Sequence, residues 1–251
     1  MTQYSIFDYG KKPLRIDKPI RLIELFAGYG SQAMALKKIG AQFEHYFVCE
    51  FDKYAIASYN AVHGTDFPTI DIKDLRGEDL KIVDTDKYEY ILTYSFPCTD
   101  LSVAGKMAGM SKGSGTRSGL LWEVERLLKE TKELPQILLM ENVLQVCGKK
   151  NLADWEAWKE FLESLGYSNF HQILNAKDYG VAQNRNRCYM VSCLGDFTYE
   201  FPKPIELTKC IRDYLEPEED IEEKYYISDE KTKTLIDNLV ESGKYADPCT
   251  A

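Results

Sequence analysis

The amino-acid sequence predicts an α/β fold built on a doubly wound, mostly parallel sheet, the Rossmann-like class. Short apolar runs that indicate buried strands alternate with segments whose apolar residues recur at helical spacing. With 251 residues and 44% hydrophobic composition, the chain can bury the core of one large domain, or of one domain and an appendage. Ligands of such sheets bind beyond the carboxyl ends of the strands, so the residues that follow each strand are the candidates for function.

The elements follow one another along the chain in a regular order. Strands are predicted over residues 21–27, 43–50, 90–95, 136–141, 170–174 and 188–194. Helices are predicted over residues 31–39, 52–63 and 120–132, and a stripe of Trp155, Trp158, Phe161, Leu162 and Leu165 indicates a further core-facing helix. Beyond Phe201 proline and charge interrupt the pattern. We therefore expect an N-terminal arm over 1–20, a main domain over 21–200 and a separate region over 201–251.

Charge limits how the chain could contact nucleic acid. Its 31 basic and 40 acidic residues give a net charge of −9, and six of the eight residues 216–223 are acidic. An acidic surface repels phosphates, so any nucleic-acid contact must be local or shared with another chain.

Composition also bears on location and on metals. No apolar run approaches the roughly 18 residues of a membrane span, and the first residues lack the apolar core of a secretory signal. The expected location is cytoplasmic, with no membrane contact. Seven scattered cysteines are typical of reduced thiols, and only three histidines accompany them, so we expect no metal site.

The first strand ends in Phe26-Ala27-Gly28-Tyr29-Gly30, where two glycines permit positive φ and a close approach of a ligand to the backbone. With Ala33 the segment satisfies a loose dinucleotide fingerprint, and Glu50 ends the next strand, where a ribose-binding acid belongs. At this point a nicotinamide dehydrogenase and a tight turn with no ligand both remain open.

The third strand ends in Ser95-Phe96-Pro97-Cys98, and a polar, glycine-rich stretch over 104–119 follows. A cysteine at a strand end beside a long loop is placed like a nucleophile under a lid. The alternative is a small, buried apolar residue.

Two more polar segments lie at strand ends. Glu141, in Met140-Glu141-Asn142-Val143, follows an apolar run whose burial would raise its pKa and make it a proton donor. A helix cap or loop ion pair is the alternative. Arg185 and Arg187 stand two residues apart and so point the same way on an extended chain, which suits an anion or a polar base edge, although a surface ion pair would also explain them.

Taken in order, FAGYG, the acid at Glu50, Asp71-Ile72, SFPC, ENV and QNRNR resemble the motif series of the cytosine-C5 DNA methyltransferases. Each motif alone is weak, whereas the ordered set over residues 22–194 is specific. The resemblance implies an S-adenosylmethionine-dependent enzyme that releases S-adenosylhomocysteine, and it makes 21–200 the catalytic and cofactor-binding domain. It also leaves little support for a dehydrogenase.

The resemblance assigns roles to particular residues. Cofactor contacts fall to Phe26, Gly28, Gly30, Glu50, Phe51, Asp71, Ile72, Pro97 and Leu121. Catalytic roles fall to Cys98, Glu141, Arg185 and Arg187, with Cys98 adding to C6 of cytosine and Glu141 bonding at N3. Contacts to double-stranded DNA or the flipped base fall to Ser95, Thr99, Ser102, Lys106, Arg117, Asn142, Val143 and Gln183.

The chain departs from the family pattern in three respects. Thr99 stands where the family has glutamine, and Ser31 stands where it has a third glycine. The target-recognition region and the last two motifs are not found, so residues 201–251 resemble only the start of that region. We expect a split enzyme completed by a second polypeptide, a truncated chain, or an inactive relative, and the retained Cys98 and Glu141 argue against the last.

Two alternatives to a DNA methyltransferase of bacterial or phage type remain. The cysteine chemistry does not distinguish the sugar, so an RNA (tRNA) cytosine-C5 methyltransferase is the first. A non-catalytic cofactor- or DNA-binding subunit is the second, and it predicts that Cys98→Ala leaves the biological effect intact. The recognised sequence cannot be read from these residues.

Overall fold

The computed structural model describes residues 11–101 and 108–243 of the chain. These residues fall into two units that divide between Glu206 and Leu207. Ser102 and Lys106, two of the expected DNA contacts, lie outside the described residues.

The first unit contains the sheet and four helices. Its strands are β1 (Lys12–Pro13), β2 (Ile20–Leu25), β3 (Phe43–Cys49), β4 (Glu89–Tyr94), β5 (Ile137–Val143), β6 (Tyr167–Asn175), β7 (Asn186–Leu194) and β8 (Phe197–Thr198). Its helices are α1 (Ser31–Lys38), α2 (Lys53–His63), α3 (Leu121–Glu130) and α4 (Leu152–Ser164), with short 3-10 turns between them. The second unit has three 3-10 turns and α5 (Asp229–Glu241).

Six strands form the central sheet in the order β3-β2-β4-β5-β7-β6. Strands β3, β2, β4 and β5 are parallel to one another, whereas β7 is antiparallel to both of its neighbours. This arrangement confirms the prediction of a mostly parallel sheet. The carboxyl ends of the four parallel strands therefore lie along one edge.

Alternation along the strands divides the core between the two faces of the sheet. Residues such as Leu92 and Met140 pack with the buried faces of α3 and α4. Their strand neighbours, such as Ile91 and Ile137, pack with Ala33 of α1 on the opposite face. Because both faces carry apolar side chains, the strands read as nearly continuous apolar runs in the sequence.

Local sequence sets the bounds of α2. Asp52 precedes the helix, and its carboxylate accepts hydrogen bonds from Tyr54 N (2.7 Å) and Ala55 N (3.1 Å). Gly64 ends the helix in a left-handed conformation, with φ of 67°. These are the usual N-cap and C-cap signals, and they explain why this helix was predicted almost to the residue.

Several bounds differ from the predictions. Strand β5 continues through Val143, so the ENV segment belongs to the strand and does not follow it. The reason is that β7 pairs antiparallel with β5 as far as Val143 and Arg187. At the N-terminal side, β1 pairs in parallel with β8, so residues 12–13 join the first unit.

The second unit differs from the first in burial. No residue of 207–243 is buried, and apolar side chains of its helix, including Leu235, Ile236 and Val240, are 41–56% exposed. Within the described ranges, no helix is long and apolar enough to cross a membrane.

Trp158 anchors α4 to the sheet, and its truncation should destabilise the first unit. Its side chain is fully buried, and its indole Nε1 donates to the Tyr94 hydroxyl at 3.1 Å. We expect Trp158→Ala to lower the free energy of unfolding by about 3–5 kcal/mol, as measured by urea denaturation. Leu152→Ala, an exposed position of the same helix, should change it by less than about 1 kcal/mol. Equal losses in the two variants would contradict the packing described here.

Candidate functional site

The turn after β2 has an unusual backbone. Phe26, Gly28 and Gly30 all have positive φ, of 57°, 57° and 81°. Glycine adopts this region freely, whereas Phe26 does so at a cost of roughly 1–3 kcal/mol. Strain of this kind persists where surrounding contacts hold it, and it often marks a binding site.

The Glu50 carboxylate is hydrogen-bonded to the backbone of this turn. Its carboxylate accepts hydrogen bonds from Gly28 N at 2.8 Å and from Asp52 N at 2.9 Å, and the residue is 8% exposed. A carboxylate has about four acceptor positions, so two remain for a ligand's hydroxyl groups.

A cavity of about 330 Å³ opens beside this turn. Its lining residues are Phe26, Cys49, Glu50, Phe51, Ile70, Asp71, Ile72, Lys73, Ser95, Pro97, Arg117 and Leu120. Apolar walls from Phe26, Ile70 and Ile72 suit a flat ring, and the carboxylates of Glu50 and Asp71 are acceptors for hydroxyl or amino groups. The lining therefore suits a nucleoside.

Most of the expected cofactor contacts line this cavity. Gly28 and Gly30 shape the turn beside it and are not part of the lining. Leu121 is fully buried in the core, because it lies on the inward face of α3. The preceding residue, Leu120, takes the place at the cavity that the sequence assigned to Leu121.

Cys98 lies on a loop whose backbone is held from two sides. Ser118 Oγ donates to Pro97 O at 2.8 Å, and Asn142 Nδ2 donates to Phe96 O at 2.9 Å. Both supporting side chains are buried, and Cys98 itself is half-buried. Because Asn142 follows Glu141 on β5, this bond ties the cysteine loop to the strand that carries the acid.

Glu141 forms an ion pair with Arg187, with Oε1 3.0 Å from Nε. Burial raises the pKa of Glu141 above its ordinary value, and the guanidinium groups of Arg187 and Arg185 offset part of the rise. The two arginines thus act on the same carboxyl group. A carboxyl group whose pKa is raised is protonated more readily than an exposed one.

Glu141 lies in a second, larger cavity of about 620 Å³ on the α1 side of the sheet. Gln32 lines this cavity, and its amide Nε2 donates to Ser95 Oγ, at the first cavity, at 2.9 Å. Arg185 and Tyr189 line the same cavity as Glu141.

The residues expected to contact the substrate differ in their exposure to solvent. Thr99 and Gln183 are exposed, and Arg117 is exposed at the first cavity. Asn142 and Val143 are 3% and 8% exposed, so their side chains support the site from within the core and do not face a substrate.

The described part of the glycine-rich stretch, residues 108–119, is bonded to α3. Met110 is fully buried, and Trp122 Nε1 donates to its carbonyl oxygen at 2.7 Å. Lys112 pairs with the buried Glu125 at 2.7 Å. Met110 and Lys112 therefore tie this segment to α3, whereas residues 111–115 and Arg117 are exposed.

Four residues at the first cavity were not predicted, namely Cys49, Ile70, Lys73 and Leu120, and neither were the supports Gln32 and Ser118. Leu120 and Lys73 adjoin residues that were predicted, so a wider window would have included them. Gln32 and Ser118 carry no signal in the sequence, because their partners are 63 and 21 residues away.

The six described cysteines are free thiols. Within residues 11–101 and 108–243, no group of three or more histidine, cysteine or acidic residues could hold a metal ion.

Comparison with known proteins relates the chain to a family. Residues 20–245 match the family described as C-5 cytosine-specific DNA methylase. The orphan methyltransferase M.SssI of Spiroplasma monobiae is 36% identical over an alignment of 252 residues. The alignment covers 79% of this chain and 65% of that protein. The Type II methyltransferase M.HhaI of Haemophilus parahaemolyticus is 34% identical over 225 residues, covering 88% and 64%. The chain thus spans about two thirds of the length of these relatives.

Solved structures share the fold. The crystal structure of S. pombe Dnmt2 methyltransferase matches with a TM-score of 0.66 and 23% identity, over 86% of this chain and 65% of that one. The Entamoeba histolytica methyltransferase EhMeth matches with a TM-score of 0.70 and 19% identity, over 84% and 64%.

Removing the guanidinium of Arg187 should raise the pKa of Glu141 further. Burial already favours the neutral carboxyl group, and Arg187 is the larger of the two charges that oppose it. We expect Arg187→Leu to raise this pKa and Arg187→Lys to raise it less, as measured by NMR titration of ¹³C-labelled carboxyl groups. Arg126→Leu removes an arginine that pairs with Glu123 and Glu130 and serves as the control. An unchanged or lower pKa in Arg187→Leu would contradict the described pairing.

Proposed function

Because this chain belongs to the C-5 cytosine-specific DNA methylase family, we propose that it transfers a methyl group to C5 of cytosine in double-stranded DNA. One observation carries the proposal. The hydrogen bond from Asn142 to Phe96 O ties the Cys98 loop to the strand that bears Glu141. This bond links the proposed nucleophile, beside the nucleoside-sized cavity, to the strand that carries the proposed acid.

S-adenosylmethionine is the proposed cofactor, and the residues at the first cavity fit it. Glu50 has acceptor positions left for ribose hydroxyls, and Phe51, which is 57% exposed at the rim, offers an aromatic face to adenine. Asp71 and Ile72 would contact the adenine edge. When bound, the cofactor supplies an electrophilic methyl group on a positively charged sulfur. S-adenosylhomocysteine would be the product.

In the proposed reaction Cys98 is the nucleophile. Cytosine C5 attacks electrophiles poorly, so a residue of the enzyme must first raise its electron density. Addition of the Cys98 thiolate to C6 breaks the aromaticity of the ring and places density on C5. After methylation, loss of the C5 proton and elimination of the thiolate restore the ring.

Glu141 would stabilise the ring while Cys98 is attached. Burial raises the pKa of the Glu141 carboxyl group, which favours the protonated form that would donate a hydrogen bond to N3 of the base. Arg187 and Arg185 would hold the base from the same side, since both lie close enough to Glu141 to affect its pKa. The geometry requires the target cytosine to leave the duplex stack, so base flipping belongs to this proposal.

A second polypeptide is a further partner in this proposal. The larger cavity is lined mainly by apolar residues such as Ile91, Leu139 and Val191, and it lies open beside Glu141. The apolar side chains of α5 are exposed as well. These surfaces support a protein partner that covers them when DNA is modified. The bacterial relatives support a role in bacterial DNA modification.

A covalent adduct tests the nucleophile. A 5-fluorocytosine duplex traps the attached ring, because fluorine cannot leave C5 as a proton does. With S-adenosylmethionine and the complementing polypeptide present, we expect mass spectrometry to find the adduct on Cys98 and to find none with Cys98→Ser. Cys147→Ser changes another half-buried thiol and should leave the adduct unchanged.

Two results would contradict this prediction. Absence of the adduct under conditions where calorimetry shows bound cofactor would argue for a non-catalytic subunit. A higher yield with a 5-fluorocytosine RNA hairpin than with the duplex would make RNA the substrate.

The 251-residue chain alone should bind duplex DNA weakly. Each phosphate contact contributes roughly −0.9 to the salt slope of binding, and a chain with a net charge of −9 has few cations to supply. We expect cofactor binding by calorimetry but little methyl transfer with labelled cofactor. Robust sequence-specific methylation by the chain alone would show that no second polypeptide is needed.

A further inference from the structure

Two side chains of α2 lie directly against the turn that precedes α1. A Cβ atom added to Gly30 would stand 2.3 Å from His63 Nε2 and 2.6 Å from Tyr59 Cε2. Real Cβ atoms do not approach other atoms this closely, so there is no room for a side chain at Gly30. Its backbone packs directly against the two rings. Helix α2 and the turn therefore cannot shift independently.

The neighbours of His63 determine which of its ring nitrogens carries the proton. Lys37 Nζ lies 3.1 Å from Nδ1, and an ammonium group can only donate, so Nδ1 accepts. The proton is therefore on Nε2, which donates to the carbonyl oxygen of Tyr29 at 3.0 Å. His63 thereby joins the end of α1 to the turn at its beginning.

A buried polar chain holds the rings in place. Glu24 is fully buried and accepts from the Tyr59 hydroxyl at 2.5 Å and from Ala33 N at 3.4 Å. His45 Nδ1 lies 2.7 Å from the same hydroxyl. Since the Tyr59 hydroxyl donates its hydrogen bond to Glu24, His45 Nδ1 donates to the Tyr59 oxygen. The centroid of the His45 ring lies 4.9 Å from that of His63.

The peptide groups of the turn are thus held from two sides. Glu50 accepts from Gly28 N at 2.8 Å, and His63 donates to Tyr29 O at 3.0 Å. One bond fixes an amide and the other fixes a carbonyl in the same three residues. The orientation of the turn toward the cavity depends on both.

We propose that His63 is a positioning residue for cofactor binding, which holds the Tyr29 carbonyl and so keeps the Gly28–Gly30 turn in its ligand-ready conformation. The inference rests on the proposed function, because it assumes that the cofactor binds at this turn. It assigns His63 no contact with the cofactor or with the reacting atoms.

The charged and titratable groups around the two imidazoles agree with a neutral His63. Burial lowers the pKa of His63, and the Lys37 ammonium lowers it as well, although the bond to Tyr29 O opposes them. Burial, His63 and Lys37 together lower the pKa of His45 to about 4. Glu24 and Tyr59 complete the set of titratable groups that face these rings.

Two substitutions of His63 separate its hydrogen bond from its bulk. His63→Gln can place an amide N–H where Nε2 stands, whereas His63→Leu fills the space without a donor. By calorimetry with S-adenosylhomocysteine, we expect His63→Leu to weaken the affinity roughly 5- to 10-fold, the range expected for one lost hydrogen bond. His63→Gln should stay within about 2-fold of the unmodified chain.

A matched control distinguishes positioning from general destabilisation. Ile56 is a buried residue of the same helix that packs with Tyr59. Ile56→Val should lower Tm while leaving the affinity for S-adenosylhomocysteine unchanged. If Ile56→Val weakens binding as much as His63→Leu, the positioning role is wrong.

The remaining outcomes separate this inference from the proposed function. An unmodified chain that binds no S-adenosylhomocysteine would overturn both. Equal affinity of the unmodified chain and His63→Leu would overturn the inference alone. The ¹⁵N spectrum of His63 gives an independent readout, since we expect the neutral tautomer with its proton on Nε2 at pH 7. The Nδ1 tautomer would contradict the assigned bond to Tyr29.

Discussion

The parallel arrangement of β3, β2, β4 and β5 determines where every functional group of this chain can lie. Parallel strands bring their carboxyl ends to one edge of the sheet, so segments far apart in sequence meet there. The strained turn follows β2, Glu50 follows β3, and the Cys98 loop follows β4. Glu141 lies near the end of β5, where the antiparallel β7 brings Arg187 opposite Val143.

Polar side chains that do no chemistry hold this edge together. Asn142 and Ser118 donate to the carbonyl oxygens of Phe96 and Pro97, the two residues before Cys98, and both side chains are almost completely buried. A buried polar group is costly when it lacks a partner, so each of these bonds stabilises one arrangement of the loop over others. Gln32 does the same between the two cavities. Precise placement of a reactive group in this chain is therefore a property of its buried hydrogen bonds.

The two faces of the sheet have different surroundings near the site. Alternation along β5 sends Met140 to the α3 and α4 side, where the core is densely packed, and Glu141 to the α1 side, where the larger cavity lies. The nucleoside-sized cavity lies beside the turn and the Cys98 loop. The hydrogen bond from Gln32 to Ser95 joins the linings of the two cavities.

The sequence alone determined the order of strands and helices and the mostly parallel sheet, and it supplied Cys98 and Glu141 as candidates for the proposed chemistry. These depend on local patterns, such as the cap at Asp52, the glycines of the turn and a cysteine that directly follows a strand. Tertiary structure decided the rest. It placed Leu120 and not Leu121 at the cavity, buried Asn142 and Val143, and bound Met110 and Lys112 to α3. Contacts such as Gln32 with Ser95 and His63 with Tyr29 join residues distant in sequence. No local pattern encodes such pairs, because they depend on which elements the packed sheet brings together.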